Sequence, residues 1–173
     1  YSQLTSLTST WGDRLDQKNA RSLSQELLNQ YFQDQKPVEK IDFNLYQTNT
    51  GGISLFPYSG ADIENTSFIV ALSKNKIDNS AVKSYLYSAL TKAKDPNTAS
   101  KALFGIASLG EPVLIQINNI IEDSKIDLET KLYLGLSLAE IGDKEKSLSL
   151  YKELLATTKL EEQKNNSPVK QDL

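Results

Sequence analysis

The chain has no histidine, no cysteine and no methionine among its 173 residues. Histidine is the usual acid/base group near neutral pH and the commonest metal ligand. Cysteine supplies thiolate nucleophiles, zinc thiolates and disulfides. Their absence excludes Ser-His-Asp and Cys-His catalysis, ordinary structural zinc sites and disulfide crosslinks. Dense basic patches are missing too. Lys and Arg number 19 against 22 Asp and Glu, a net charge of -3, and the tightest basic spot, Lys92 with Lys94, reads as a solvated helix end. No nucleic-acid footprint is present. Apolar stretches around Ala102–Leu109 and Leu132–Ile141 are too short and too interrupted to span a bilayer, so no membrane insertion is expected. Gly51-Gly52 has no adjacent Lys-Ser/Thr partner, so no phosphate loop is expected. Asp123-Ser124-Lys125-Ile126-Asp127 places a lysine where a calcium loop needs oxygen, and it lacks the turn glycine. Neither a metal nor a cofactor is implied.

What is present is an ordinary globular composition, 39% apolar and 24% charged, at a length that fits one domain with its own core. The chain begins at Tyr1 with no basic segment ahead of an apolar run, which predicts a piece of a longer protein. Zero cysteine suits a bacterial secreted or surface protein, the expected location, and is equally compatible with the cytosol. Asn65-Thr66-Ser67 and Asn165-Asn166-Ser167 are formal glycosylation sequons of a kind that arises by chance.

Periodicity and punctuation predict short helices. Asn19–Gln33 carries Leu23, Leu27, Leu28, Tyr31 and Phe32 as an amphipathic stripe, after a weaker helix with Leu4 and Leu7 inward. Asp34–Gly60 is broken by Pro37, Gly51, Gly52, Pro57 and Gly60. Asp62 caps a helix reaching about Ser73, with Ile63, Phe68, Ile69 and Leu72 as its apolar positions. Asn79 or Ser80 caps the next, whose apolar positions are Val82, Tyr85, Leu86 and Leu90. Asp95-Pro96 is a strong start signal for a helix that ends at Gly110. Pro112 opens another through Ile120. A helix from Asp127 or Leu128 ends at Gly142, and Asp143 caps the last one. Residues 1–158 read as one helical domain and 159–173 as a polar tail or linker. Ile53-Ser54-Leu55 is the best strand candidate, and it is very short.

Lys101-Ala102-Leu103-Phe104-Gly105-Ile106-Ala107 lines up with Lys131-Leu132-Tyr133-Leu134-Gly135-Leu136-Ser137, 30 residues later. Such a repeat is the mark of stacked antiparallel αα-hairpins, each too small to bury its own face. Gly105 and Gly135 fall mid-helix, where glycine costs about 1 kcal/mol against alanine. Close helix approach is the expected compensation.

Two resemblances follow. Leu134-Gly135 through Gly142, Ser147, Tyr151 and Leu154 resembles a single tetratricopeptide repeat. Phe43, Gln47, Gly51 and Ile53 resemble the QW-type motif of α/α-toroid proteins, with Ile in place of Trp. Gly51-Gly52-Ile53-Ser54-Leu55-Phe56 followed by Asp62-Ile63-Glu64-Asn65-Thr66-Ser67-Phe68 is similar to the stretch in alpha-2-macroglobulin-type thioester domains and terpenoid-cyclase toroids. The resemblance covers about residues 18–156 and implies an all-α partial toroid of stacked hairpins, the alternative being a tetratricopeptide-like superhelix. It carries over no catalytic residue. The thioester Cys, the Asp-rich cyclase motif and the Cys and His zinc ligands of prenyltransferases are all missing.

Read from their own chemistry, Gly51-Gly52 allow a tight turn against neighbours, and Gln47 can satisfy loop backbone groups. Phe56 and Tyr58 can plug the loop onto the helices. Tyr46, Phe56, Tyr58 and Trp11 could instead line a groove, with Gln47 and Asp62 beside it. The close acidic pairs are Asp62 with Glu64, Glu122 with Asp123, and Asp13 with Asp16. Neighbours one or two apart do not face each other on a helix. The expected role is therefore a non-catalytic structural or protein-interaction domain whose partner is another protein or a neighbouring domain of the same chain. The alternatives are a carbohydrate-active toroid enzyme running on carboxylates and a tetratricopeptide-like adaptor that binds a peptide.

Overall fold

The computed structural model describes residues 1–122 and 125–165, with side chains as far as 158. Among the described residues the chain is all-α, with eight α-helices and no strand. Two compact units divide it, Tyr1–Lys92 and Ala93–Leu173.

The first unit contains α1 (Ser2–Thr8), α2 (Leu15–Phe32), α3 (Ile63–Ser73) and α4 (Asn79–Lys92). α3 starts where the sequence places it, because the Asp62 carboxylate accepts the Asn65 amide at 2.7 Å. At α4 the cap is one residue earlier than expected. Asp78 accepts the amides of Ser80 and Ala81 at 3.0 and 3.2 Å.

The largest departure from the sequence reading is the orientation of α1 and α2. α1 buries nothing, and Leu7 is exposed. Of the α2 stripe only Leu28 is buried, while Leu27, Tyr31 and Phe32 are exposed. The inward face instead carries Leu15 with Asn19, Ser22, Ser24 and Gln25. Asn19 accepts the Ser73 hydroxyl at 2.9 Å, and Ser22 donates to the Glu39 carbonyl at 3.0 Å. Gln25 donates to Asn29 and Asp34 at 2.8 and 3.0 Å. Asn19, Ser22 and Gln25 can lie on the inward face because each has a hydrogen-bond partner, side chains for Asn19 and Gln25 and a backbone carbonyl for Ser22.

Ile53-Ser54-Leu55 forms no strand. Two isolated antiparallel bridges, Gln47 with Ile53 and Ser54 with Ala61, are all that remains of it.

The second unit holds α5 (Pro96–Ser108), α6 (Leu114–Ile121), α7 (Leu128–Glu140) and α8 (Lys144–Asn165). Asp95 accepts the Thr98 amide at 2.8 Å, Asp127 the Thr130 amide at 2.7 Å and Asp143 the Lys146 amide at 3.2 Å. Each cap gives a partner to an amide that the first helical turn leaves without one. Gly110 and Gly142, at φ +85° and +87°, end their helices. α7 packs on both α5 and α8. Asn97 and Lys101 of α5 both reach Glu129 of α7 at 2.8 Å, and the Phe104 ring lies 6.0 Å from Tyr133. Contacts that advance together along both helices mean that α5 and α7 run parallel, offset by the sequence repeat. Lys131 with Glu153, and Gly135 with Ser147, set α8 antiparallel to α7.

Gly135 is not forced by crowding. A methyl there would sit 3.8 Å from Leu150 Cβ, an ordinary contact. α8 also continues to Asn165, into the segment read as a tail, where Leu160-Glu161-Glu162-Gln163-Lys164 are good helix formers. Residues 166–173, and with them most of the second sequon, lie outside the described residues, as do Asp123, a member of the second acidic pair, and Ser124.

Candidate binding groove

The loop from Asp42 to Asp62 is held by an unusually complete hydrogen-bond set. A short 3-10 turn, Phe43–Leu45, leads into Tyr46, whose carbonyl accepts both the Ser54 amide and the Ser54 hydroxyl at 2.9 Å. Gln47 donates to the Gly51 carbonyl at 3.2 Å and pairs with both backbone groups of Asp78 at 3.0 Å. Gly51 has φ +91°, and a Cβ on it would lie 2.2 Å from the Ala81 carbonyl oxygen. At Gly52 a Cβ would meet Ala61 and Tyr85 at 2.7 Å. The glycine pair is thus fixed by close approach to α4, and at Gly51 also by backbone conformation. Burial, and secondarily the negative charge of Asp62, pushes the Tyr85 hydroxyl above its ordinary pKa.

The five residues singled out in the sequence do not form one site. Tyr46 is buried, with its hydroxyl 3.3 Å from Lys18 Nζ. That contact raises the lysine above its ordinary pKa. Gln47 is committed to the loop. Phe56 and Tyr58 stack at 5.5 Å with planes 11° apart, but Tyr58 is 86% exposed and plugs nothing. Trp11 is 92% exposed. An aromatic groove is therefore not built.

Asp62 borders a concavity. Between α2 and α3 lies an open groove of about 340 Å³. Its apolar wall comprises Ala20, Leu55, Phe68, Ile69 and Leu72. Asp16, Asp62 and Glu64 supply three carboxylates against the single guanidinium of Arg14. Arg14 holds both oxygens of Asp16, at 3.1 and 2.9 Å. Asn65 also lines the groove and is 5% exposed. Its Nδ2 donates to the Ser54 carbonyl at 3.1 Å, while its buried Oδ1 has no partner. This burial also closes the Asn65-Thr66-Ser67 sequon to modification in the folded chain.

Phe68 and Leu72 look like core positions by spacing, yet they are the exposed apolar groups of the groove. α3 is apolar on most of its circumference, so periodicity cannot say which side faces out. The cue present in the sequence was Asp16 and Glu64 near the starts of two helices that flank the same loop.

Most of the other described carboxylates serve as caps or ion pairs, Asp78 and Asp95 among the caps and Glu39 and Glu26 among the pairs. Asp13 is 91% exposed and sits 3.7 Å from Lys18. No group of three or more His, Cys, Asp or Glu among the described residues is arranged to hold a metal ion. No described helix is long and apolar enough to cross a membrane. The chain matches no protein-family model, no characterised protein and no solved structure.

Proposed function

We propose that this chain is a non-catalytic protein-interaction domain, built on the α/α-toroid plan and belonging to a larger secreted or surface protein. The observation that carries the reading is the α2–α3 groove, an apolar wall under a net acidic rim. Its chemistry suits a peptide segment that sets an apolar side chain on Phe68 and Leu72 and a Lys or Arg beside Asp16 and Glu64. Opposite charge at such a rim steers association and fixes register more than it adds affinity. The toroid plan is supported by the Gly-Gly turn leading into an Asp-capped helix and by the stacked hairpins. The absence of cysteine is compatible with an exported setting.

The test is a titration of the chain with a fluorescent peptide containing Leu-Lys-Leu-Arg, against its Leu-Glu-Leu-Glu counterpart. Saturable binding of the basic peptide alone, weakened by salt and by Glu64→Lys, supports the reading. Equal binding of both peptides, or of neither, overturns it.

A second reading rests on the three carboxylates that line one groove: a carboxylate-dependent carbohydrate-active enzyme. Against it, Asp62 is engaged as a helix cap and Asp16 as a bidentate ion pair. Release of reducing ends from an oligosaccharide, abolished by Glu64→Gln, would favour the enzyme over the binding module.

A further inference from the structure

α8 is covered on two sides and open on a third. Ser147 and Leu150 face α7, through the 2.9 Å bond to the Gly135 carbonyl and the approach to Gly135. Lys146 reaches Asn118 of α6 at 3.1 Å, and Ser149 and Glu153 line the same α6 side. At about 100° per residue, Leu148, Tyr151 and Leu155 fall within one narrow arc, roughly opposite the α6 side. All three are exposed, at 51%, 54% and 41%. Leu132 of α7 is also exposed, and the antiparallel register places it level with this stripe.

Singly exposed apolar residues need no explanation, but a stripe at i, i+3 and i+7 has the spacing of a helix-pairing seam. As a heptad, Leu148 and Leu155 take a, Tyr151 takes d, and the flanking e positions are Glu145 and Lys152. Both flanking residues are exposed. Opposite charges one heptad apart on the same flank have a specific consequence. An antiparallel two-fold pairing sets Glu145 against the partner's Lys152, and Lys152 against the partner's Glu145. The same register brings Leu148 against the partner's Tyr151. On the other flank, the g positions Ser147 and Leu154 offer no charge that would favour a parallel arrangement.

We infer that the exposed face of α8 is a self-association surface, and that its occupant is α8 of a second copy of this chain in antiparallel orientation. The continuity of hairpin packing from α5 through α7 to α8, combined with self-complementary charge, is what selects a second copy. The inference does not depend on the peptide-binding reading, because it uses none of the groove residues.

Sedimentation equilibrium of the full chain tests it, across micromolar to submillimolar concentration. The expected result is a reversible rise from the 19.2 kDa monomer to twice that mass. Leu148→Asp and Tyr151→Asp, at positions already half exposed, keep the helical circular dichroism and remain monomeric. Glu145→Lys and Lys152→Glu each weaken the dimer about tenfold, since each places two like-charged pairs across it. The double variant Glu145→Lys/Lys152→Glu restores wild-type association. A chain that stays monomeric throughout, a dimer untouched by Leu148→Asp, or a double variant as weak as either single one would overturn the inference.

Discussion

Gln47 and Asp78, 31 residues apart, are joined as though by a fragment of sheet. The Gln47 amide nitrogen donates to the Asp78 carbonyl, and its oxygen accepts the Asp78 amide, both at 3.0 Å. One side chain thereby fixes the Gly-Gly loop to the turn that starts α4. Gln47→Ala removes two hydrogen bonds that lie exposed to solvent, so water takes over the freed groups and the expected cost is about 0.5–1.5 kcal/mol. Gln47→Glu can still accept from Asp78 but cannot donate, so it falls between the two. Urea unfolding of the three proteins, followed by circular dichroism, checks the order. Equal midpoints for wild type and Gln47→Ala would show that the bridge contributes nothing.

The glycines divide sharply. Gly51→Ala puts a Cβ against the Ala81 carbonyl in a left-handed conformation, so a loss of more than about 2 kcal/mol is expected. Gly135→Ala meets only Leu150 Cβ at 3.8 Å, so the helix-propensity gain survives and stability rises by up to about 1 kcal/mol. Denaturation midpoints that shift in the same direction for both would contradict this packing.

How much of this was legible in the sequence depends on how local each cause is. Asp62, Asp95, Asp127 and Asp143 cap their helices because a carboxylate beside free amides needs nothing distant. The parallel packing of α5 and α7 was legible in the repeat, because equivalent faces meet one repeat apart. The inward face of α2 was not. Asn19, Ser22 and Gln25 are buried because each finds a hydrogen-bond partner there, the Ser73 hydroxyl, the Glu39 carbonyl and the Asp34 carboxylate respectively, and polarity alone marks such residues as exposed. The groove was missed for the complementary reason: Phe68 and Leu72 look like core by spacing, yet lie open between two helices.

Acid weakens the second unit in a defined way. Hydrogen bonds from Thr130 hold Asp127 below the usual carboxylate range, and the Thr98 amide does the same for Asp95. At Glu129 the cause is chiefly Lys101, with Asn97 second. A carboxyl whose pKa is lower folded than unfolded adds stability above its unfolded pKa, and that contribution is lost as pH falls through the folded value. Melting temperature is therefore flat near neutrality and declines below about pH 4–5. Asp95→Asn/Asp127→Asn, lower in stability at pH 7, shows a shallower decline. An unchanged slope would assign the acid sensitivity elsewhere.

Trp11 is the sole tryptophan and is 92% exposed. Its emission in the folded chain is expected at the position of tryptophan in water, with full access to iodide and little change through a urea transition that circular dichroism detects. A blue-shifted, protected emission would mean that the turn around Gly12 is packed in a way this fold does not provide.

The groove between α2 and α3 is tested most directly by locating a bound peptide. Backbone amide chemical shifts of the isotopically labelled chain, recorded with and without the Leu-Lys-Leu-Arg peptide, are expected to move at Asn19, Ala20, Leu55, Glu64, Phe68 and Leu72. The second unit should stay still. Shifts confined to the second unit, or none at saturating peptide, would contradict the assignment of this groove as the recognition surface.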